Sequence, residues 1–305
     1  MKKIKYIIIL AGLTFLMPGQ AVSQQQALYS QYMMNDFLLN PAIAGTSEFS
    51  PLRLTARSQW TGIDGAPQTQ AISGHTMLGR NEQMGAGGYI YNDAFGPVSR
   101  TGIMGAYSYK VRVKNSTMLS FGLSVSAFQF KFNESGFNII DDSDVVFNGA
   151  TESTFVPDAN FGMYLYNKKY FVGFSAAQLF QFQINIPGAS DVNKTVRHHF
   201  LTGGYKFTLS DEFEVEPSIL VKTTELTKPQ LDVNAKVIYK KNYWLGFSYR
   251  TEDSAIAMIG LMVDRYYLGY AFDYTLSGLN NYTMGSHEIM IGINLSTPKQ
   301  TKALI

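Results

Sequence analysis

The chain has no cysteine in 305 residues, so neither a disulfide framework nor a thiolate metal site can support it. It also lacks any apolar run of the ~20 residues that a membrane-crossing helix requires. Neither sign of charge dominates, with 25 Lys and Arg against 23 Asp and Glu. Nothing in that balance points to nucleic acid as a partner. Histidine is scarce: His75, His198, His199 and His287 are the four. In strands, Ser286 and His287, or His198 and His199, point to opposite faces, so no nucleophile sits beside a base. No HExxH motif and no nucleophile elbow occurs. The sequence therefore reads as a non-enzymatic chain that needs no cofactor and no metal.

What the chain does contain is aromatic residues and glycine, with 19 Tyr, 21 Phe and 27 Gly. That composition favours many strands and tight turns. The opening residues are of a different kind. Lys2, Lys3 and Lys5 precede the apolar stretch Tyr6 to Met17, and small residues stand at Ala21 and Ser23. This is the layout of a secretory signal peptide over residues 1–23, cleaved before Gln24. With no cysteine at the cleavage point, a lipoprotein is excluded. Loss of the three leader lysines leaves 22 basic residues against 23 acidic ones, a nearly neutral mature chain.

Arg265 to Leu276 shows the pattern most clearly. Tyr266, Leu268, Tyr270, Phe272 and Tyr274 alternate with Tyr267, Gly269, Ala271, Asp273 and Thr275. One face of such a strand is apolar and the other is not. About fourteen similar segments follow one another between residues 51 and 296. The gaps between them alternate, short (Lys114-Asn115, Asn167 to Lys169, Ser210-Asp211, Lys241-Asn242, Asp264) and longer (61–68, 92–98, 133–154, 181–194, 225–229, 277–285). The brief gap Glu252 to Ser254 is the exception. Short periplasmic turns and long extracellular loops characterise outer-membrane barrels, which place both termini in the periplasm. The expected architecture is thus an all-β transmembrane antiparallel barrel of about 14 strands. Residues 24–50 have no clean period and read either as a tether or as a plug or docking segment. Residues 297–305 form a tail.

Charged side chains fall on one strand face: Lys110, Arg112, Glu214, Glu216, Lys222, Asp232, Lys236, Arg250 and Asp273. On a lipid face each would cost about 2–4 kcal/mol at the midplane, so they are expected in the lumen, paired with one another. In the segment 116–132 the apolar parity changes after Ala127, which suggests a bulge or a strand extending beyond the membrane. The acidic run Asp141, Asp142 and Asp144 reads as a solvated loop, with calcium binding as its alternative.

Two stretches carry a family resemblance: SQYMMNDFLLNPAIAG at residues 30–45 and RSQWTGIDGAPQT at residues 57–69. Gly87 and Asn92-Asp93 through Gly96, and the closing block from Ser248 to Leu295, add to it. The chain resembles the PorP/SprF family of type IX secretion. The resemblance implies an outer-membrane barrel without enzymatic activity, acting in secretion or in surface attachment of large adhesins used in gliding. It implies as partners the C-terminal domain of one secreted surface protein, other type IX secretion components and outer-membrane lipid. On this reading the partner-binding candidates are Arg57, Gln59, Trp60, Asp64 and Asp93. The same residues also fit a purely structural role in the first hairpin. A passive porin-like channel for small solutes is the alternative function.

Overall fold

The computed structural model describes residues 26, 29–79, 82–114, 116–133, 151–184 and 193–295. The signal peptide, the acidic run 141–144 and the tail 297–305 lie outside these residues. No helix among the described residues is long and apolar enough to cross a membrane. The chain instead closes a barrel.

Its strands are β1 (Ser50–Ser58), β2 (Gln68–Leu78), β3 (Met84–Phe95), β4 (Val98–Lys114), β5 (Thr117–Asn133), β6 (Thr151–Tyr166) and β7 (Tyr170–Ala177). The two-residue strands β8 (Gln183–Ile184) and β9 (Asn193–Lys194) pair only with each other, off the barrel wall. The wall resumes with β10 (His198–Tyr205), extended by β11 (Phe207–Thr208), then β12 (Phe213–Thr224) and β13 (Gln230–Tyr239). It ends with β14 (Tyr243–Arg250), β15 (Ser254–Val263), β16 (Tyr266–Thr275) and β17 (Ser286–Leu295). Every neighbouring pair is antiparallel, and β1 pairs with β17, so no edge faces hydrocarbon. Fourteen strands form the closed wall.

The alternation of faces holds along each strand. On β14, Tyr243, Leu245, Phe247 and Tyr249 are exposed on the outer face, while Trp244, Ser248 and Arg250 are buried inside. Most of the expected luminal charges point inward; Lys110, Lys222, Asp232, Lys236, Arg250 and Asp273 are buried. Glu214 and Glu216 are partly buried, and Arg112, near the short-turn end of β4, is exposed. Inward charges do pair: Arg250 Nε meets Asp232 Oδ2 at 3.1 Å, and Lys236 Nζ meets Glu216 Oε1 at 2.6 Å.

Turns at one end are tight. Lys240 and Lys241 both have positive φ, 50° and 60°, and Asn242 N–H donates to the Tyr239 carbonyl at 3.1 Å. That is the I′ geometry that matches strand twist. At the other end, one expected loop is absent. Residues 92–95 continue β3, β4 begins at Val98, and only Gly96-Pro97 turn the chain. Turn-rich composition is overridden there by cross-strand pairs: Thr101 Oγ1 donates to Asn92 Oδ1 at 2.8 Å, and Thr69 Oγ1 donates to Asp93 Oδ1 at 2.6 Å.

The parity change near Ala127 is not a bulge. The β4–β5 register is unbroken through it, and its one shift lies between Arg112 and Lys114. Even-numbered residues of β5 point inward throughout, but their chemistry changes from Ser120 and Ser124 to Phe128 and Phe130. These two phenylalanines pack with Val156 and Ile184 into a small apolar core near the long-loop end.

Candidate functional site: a plugged lumen and its vestibule

Residues 29–45 run through the lumen as three one-turn 3-10 helices, Tyr32–Met34, Asp36–Leu38 and Pro41–Ile43. Such a path uses few of its own backbone hydrogen bonds, so the wall must supply partners. It does so from all sides. Glu288 Oε2 and Oε1 accept the backbone N–H of Ser30 (2.7 Å) and Gln31 (3.0 Å). Ser175, Ser120 and Ser108 hydroxyls donate to the carbonyls of Leu39, Ala42 and Ala44, each at 2.6 Å. Lys110 Nζ donates to the Gly45 carbonyl, and His75 Nδ1 accepts Gly45 N–H at 3.1 Å. Asn40 caps its own turn by accepting Ala42 N–H at 2.9 Å, while its amide donates to the Met163 carbonyl at 3.0 Å.

Close approach is possible because the wall carries glycine where the plug touches it. A Cβ on Gly122 would overlap the Ala42 nitrogen, and one on Gly162 would overlap Asn40 Oδ1. Apolar plug residues finish the seal: Phe37, Ala42, Ile43 and Ala44 pack with Met104, Ala106 and Tyr164, and Tyr32 and Leu39 with Phe200 and Leu220. Residues 29–45 are thus a wall-bonded plug.

The plug runs from the long-loop end of the barrel to its short-turn end. Gln26 is at the long-loop end, where its N–H donates to His198 Nε2 at 3.4 Å. His198 Nδ1 faces two oxygens, Val196 O at 2.8 Å and Gln178 Oε1 at 3.0 Å, so Nδ1 carries the proton and Nε2 accepts. From there the chain descends to Gly45 beside Met77 and Gly85, at the short-turn end, and turns into β1. The first described residue and the start of β1 therefore stand at opposite ends of the barrel.

Above the plug, the long-loop end opens into a vestibule of about 490 Å³. Four of the five sequence candidates line it: Arg57, Gln59, Trp60 and Asp93. Asp64 is not among the lining residues and is exposed on the loop between β1 and β2. That loop is laced to its neighbours. Thr61 N–H donates to Gly285 O and Met284 N–H to Thr61 O, both at 2.8 Å, and Gly96 N–H donates to Gly65 O at 2.7 Å. Trp60 sits at φ +50°, with its N–H on Ser286 Oγ at 3.0 Å. Arg57 is committed below the vestibule floor: its Nη2 meets Asp273 Oδ2 at 2.7 Å, its Nη1 lies 3.6 Å from Glu288, and it donates to Ser30 Oγ. Sequence reasoning did not single out Lys222, Arg250 or Arg100 as vestibule residues; the signal was their shared inward parity near the long-loop strand ends.

Among the described residues, no group of His, Asp or Glu could hold a metal ion. The family model for the type IX secretion system membrane protein PorP/SprF matches residues 21–293. The chain belongs to the PorP/SprF family. No curated protein matches it in sequence. Among solved structures, the Ralstonia pickettii toluene transporter TbuX is similar at TM-score 0.53 and 9% identity, covering 86% of this chain and 93% of that one. A Pseudomonas aeruginosa FadL homologue is similar at TM-score 0.51 and 8% identity, covering 84% and 92%. At such identities the likeness concerns the fold: an outer-membrane β-barrel.

Proposed function

We propose that this PorP/SprF barrel is a closed docking platform that binds, anchors or helps export one type IX-secreted, adhesin-like surface protein through that protein's C-terminal domain. On this reading residues 1–23 are a cleaved signal peptide and the long loops face the cell exterior. The observation that carries the reading is the plug. A lumen crossed by residues 29–45 and bonded to the wall on several sides leaves the vestibule and loop rim as the interaction surface, which favours docking over passage of solutes. Other secretion-system components are the expected partners at the remaining surfaces. The family is one of secretion-system membrane proteins, and the vestibule presents no nucleophile–base pair among the described residues.

The test is an affinity pull-down of the tagged barrel, gently solubilised from its native membrane, with mass spectrometry of the co-purifying proteins. Recovery of one large secreted protein, retained when only its C-terminal domain is supplied, supports the platform. Recovery of the barrel alone, together with ion conductance in planar bilayers, overturns it in favour of a porin.

A further inference from the structure

Two buried cations on the vestibule floor leave part of their hydrogen-bonding capacity unused. Lys222 is 6% exposed. Its Nζ reaches only the Gln26 carbonyl, at 3.5 Å, and among the described residues it forms no ion pair. Arg250, 2% exposed, uses Nε on Asp232 and Nη1 on Asp253, while its Nη2 is buried with no partner. Strand register brings the two together: Lys222 lies opposite Gln230, Leu220 opposite Asp232, and Asp232 opposite Arg250. Inward side chains at these positions are diagonal neighbours on one patch of wall.

Across the vestibule, Arg100 pairs in register with Asp93 yet forms no ion pair with it. Asp93 instead accepts the Thr69 hydroxyl, and the Arg100 guanidinium lies over Phe95 and Phe130, 5.4 and 5.7 Å from their centroids. Five Lys and Arg line the vestibule with three Asp and Glu, and two of the five, Arg57 and Arg250, are paired from below with Asp273, Glu288 and Asp232. A buried ammonium with one long hydrogen bond is incompletely satisfied, and a further acceptor beside it would be stabilising. A planar anion with two oxygens matches an unpartnered guanidinium N–H beside an ammonium.

We infer that the vestibule floor is a carboxylate-binding site, with Lys222 Nζ and Arg250 Nη2 as the groups that hold the anion. The carboxylate arrives either on a polypeptide, at its C-terminus or on a side chain, or as a free organic acid. The first case deepens the docking reading and rests on it; the second does not need it. Lys222 is the discriminating position, because it supports no other side chain. Replacing an unpaired buried charge by an isosteric apolar residue leaves the empty barrel as stable or more so, while removing the anion's partner.

The experiment titrates purified barrel in detergent with three probes: a neutral N-acetylated tripeptide with a free C-terminal carboxylate, its C-terminal amide, and acetate. Trp60 fluorescence reports binding in a Trp244→Phe background, since Trp60 lines the vestibule and Trp244 is the other tryptophan. The expected result is binding of the free-acid peptide, weakened about ten- to a hundredfold in the amide and in Lys222→Met, the worth of one charge-assisted hydrogen bond. Acetate equalling the peptide assigns the site to free organic acids. Equal binding of acid and amide, unchanged binding by Lys222→Met, or no response to any probe overturns the inference. A Lys222→Met barrel that unfolds more readily than wild type also overturns it, because Lys222 would then be a structural group. These outcomes do not depend on the pull-down: failure to recover a client sinks the platform and leaves the carboxylate site standing.

Discussion

The Glu288 carboxylate accepts the backbone N–H groups of Ser30 and Gln31 at 2.7 and 3.0 Å, from a side chain with no solvent exposure. Arg57 faces the same carboxylate at 3.6 Å and bonds Asp273 at 2.7 Å. One buried group on the last strand therefore holds both the plug and Arg57 of the first strand. Glu288→Ala leaves two N–H donors without their acceptor and Arg57 short of one counter-charge. The expected cost is about 3–5 kcal/mol, seen as a lower urea midpoint for the barrel in lipid vesicles and new protease cleavage within residues 29–45. Glu288→Gln keeps one acceptor oxygen and falls between. An unchanged midpoint for Glu288→Ala would show that the latch is incidental.

A lumen filled by wall-bonded chain should not conduct. The intact protein is expected to be silent in planar bilayers, and a mature chain shortened to begin at Thr46 should show stepwise conductance. β1 and its pairing with β17 begin at Ser50, so the closed wall survives the truncation. Equal conductance by both forms would remove the plug from the functional account.

Glycine on the inner wall sets how closely the plug packs. Gly122→Val drives a side chain into the backbone at Ala42, and overpacking of this kind costs about 1–3 kcal/mol. Gly105 on the neighbouring strand has open space where a Cβ would stand, so Gly105→Val is the control and should leave the midpoint unmoved. The two variants differ in direction of the side chain, not in strand propensity. Their separation therefore isolates the plug contact.

The outer face makes the complementary prediction. Phe247 is 60% exposed on β14 while its neighbour Ser248 is buried in the lumen. Phe247→Arg should destabilise the barrel by about 2–4 kcal/mol in vesicles if it meets the bilayer midplane. The same substitution in detergent micelles, where the head group reaches water, should cost less. A cost independent of the solubilising phase would place Phe247 outside the hydrocarbon band.

The barrel wall is legible in the sequence because a period of 2 is imposed on nearly every strand by lipid on one side and polar chain on the other. Parity identified Asp232, Lys236, Arg250 and Asp273 as luminal without any coordinates. The plug is not legible in the sequence because residues 29–45 obey no period: their partners are serines and glycines scattered over several strands. The wall glycines that let the plug approach, among them Gly85, Gly122, Gly162 and Gly269, likewise lie on separate strands. The β3–β4 turn was misplaced because Asn92, Asp93 and Gly96 have turn composition, whereas pairing with Thr69 and Thr101 holds them as strand. Four of the five candidate partner residues line one vestibule, and sequence spacing alone could not have placed Asp93 in the same vestibule as Trp60.

Whether Trp60 recognises a client or merely supports its hairpin can be separated by its backbone conformation. At φ +50° a tryptophan is strained and glycine is not. Trp60→Gly therefore relieves the turn while deleting the ring, and its backbone bond to Ser286 Oγ is retained. The two effects on the free barrel oppose each other, so its urea midpoint should shift by no more than about 1 kcal/mol. If the indole is an anchor of the kind that dominates interfaces, recovery of the client should fall by tenfold or more, a loss of at least about 1.4 kcal/mol. Asp64→Ala, at the exposed part of the same loop, should weaken recovery less, since a rim charge contributes little. Full client recovery by Trp60→Gly, with the barrel folded, would assign the tryptophan to the rim's architecture and move the search for the contact surface to the loops beyond β14 and β16.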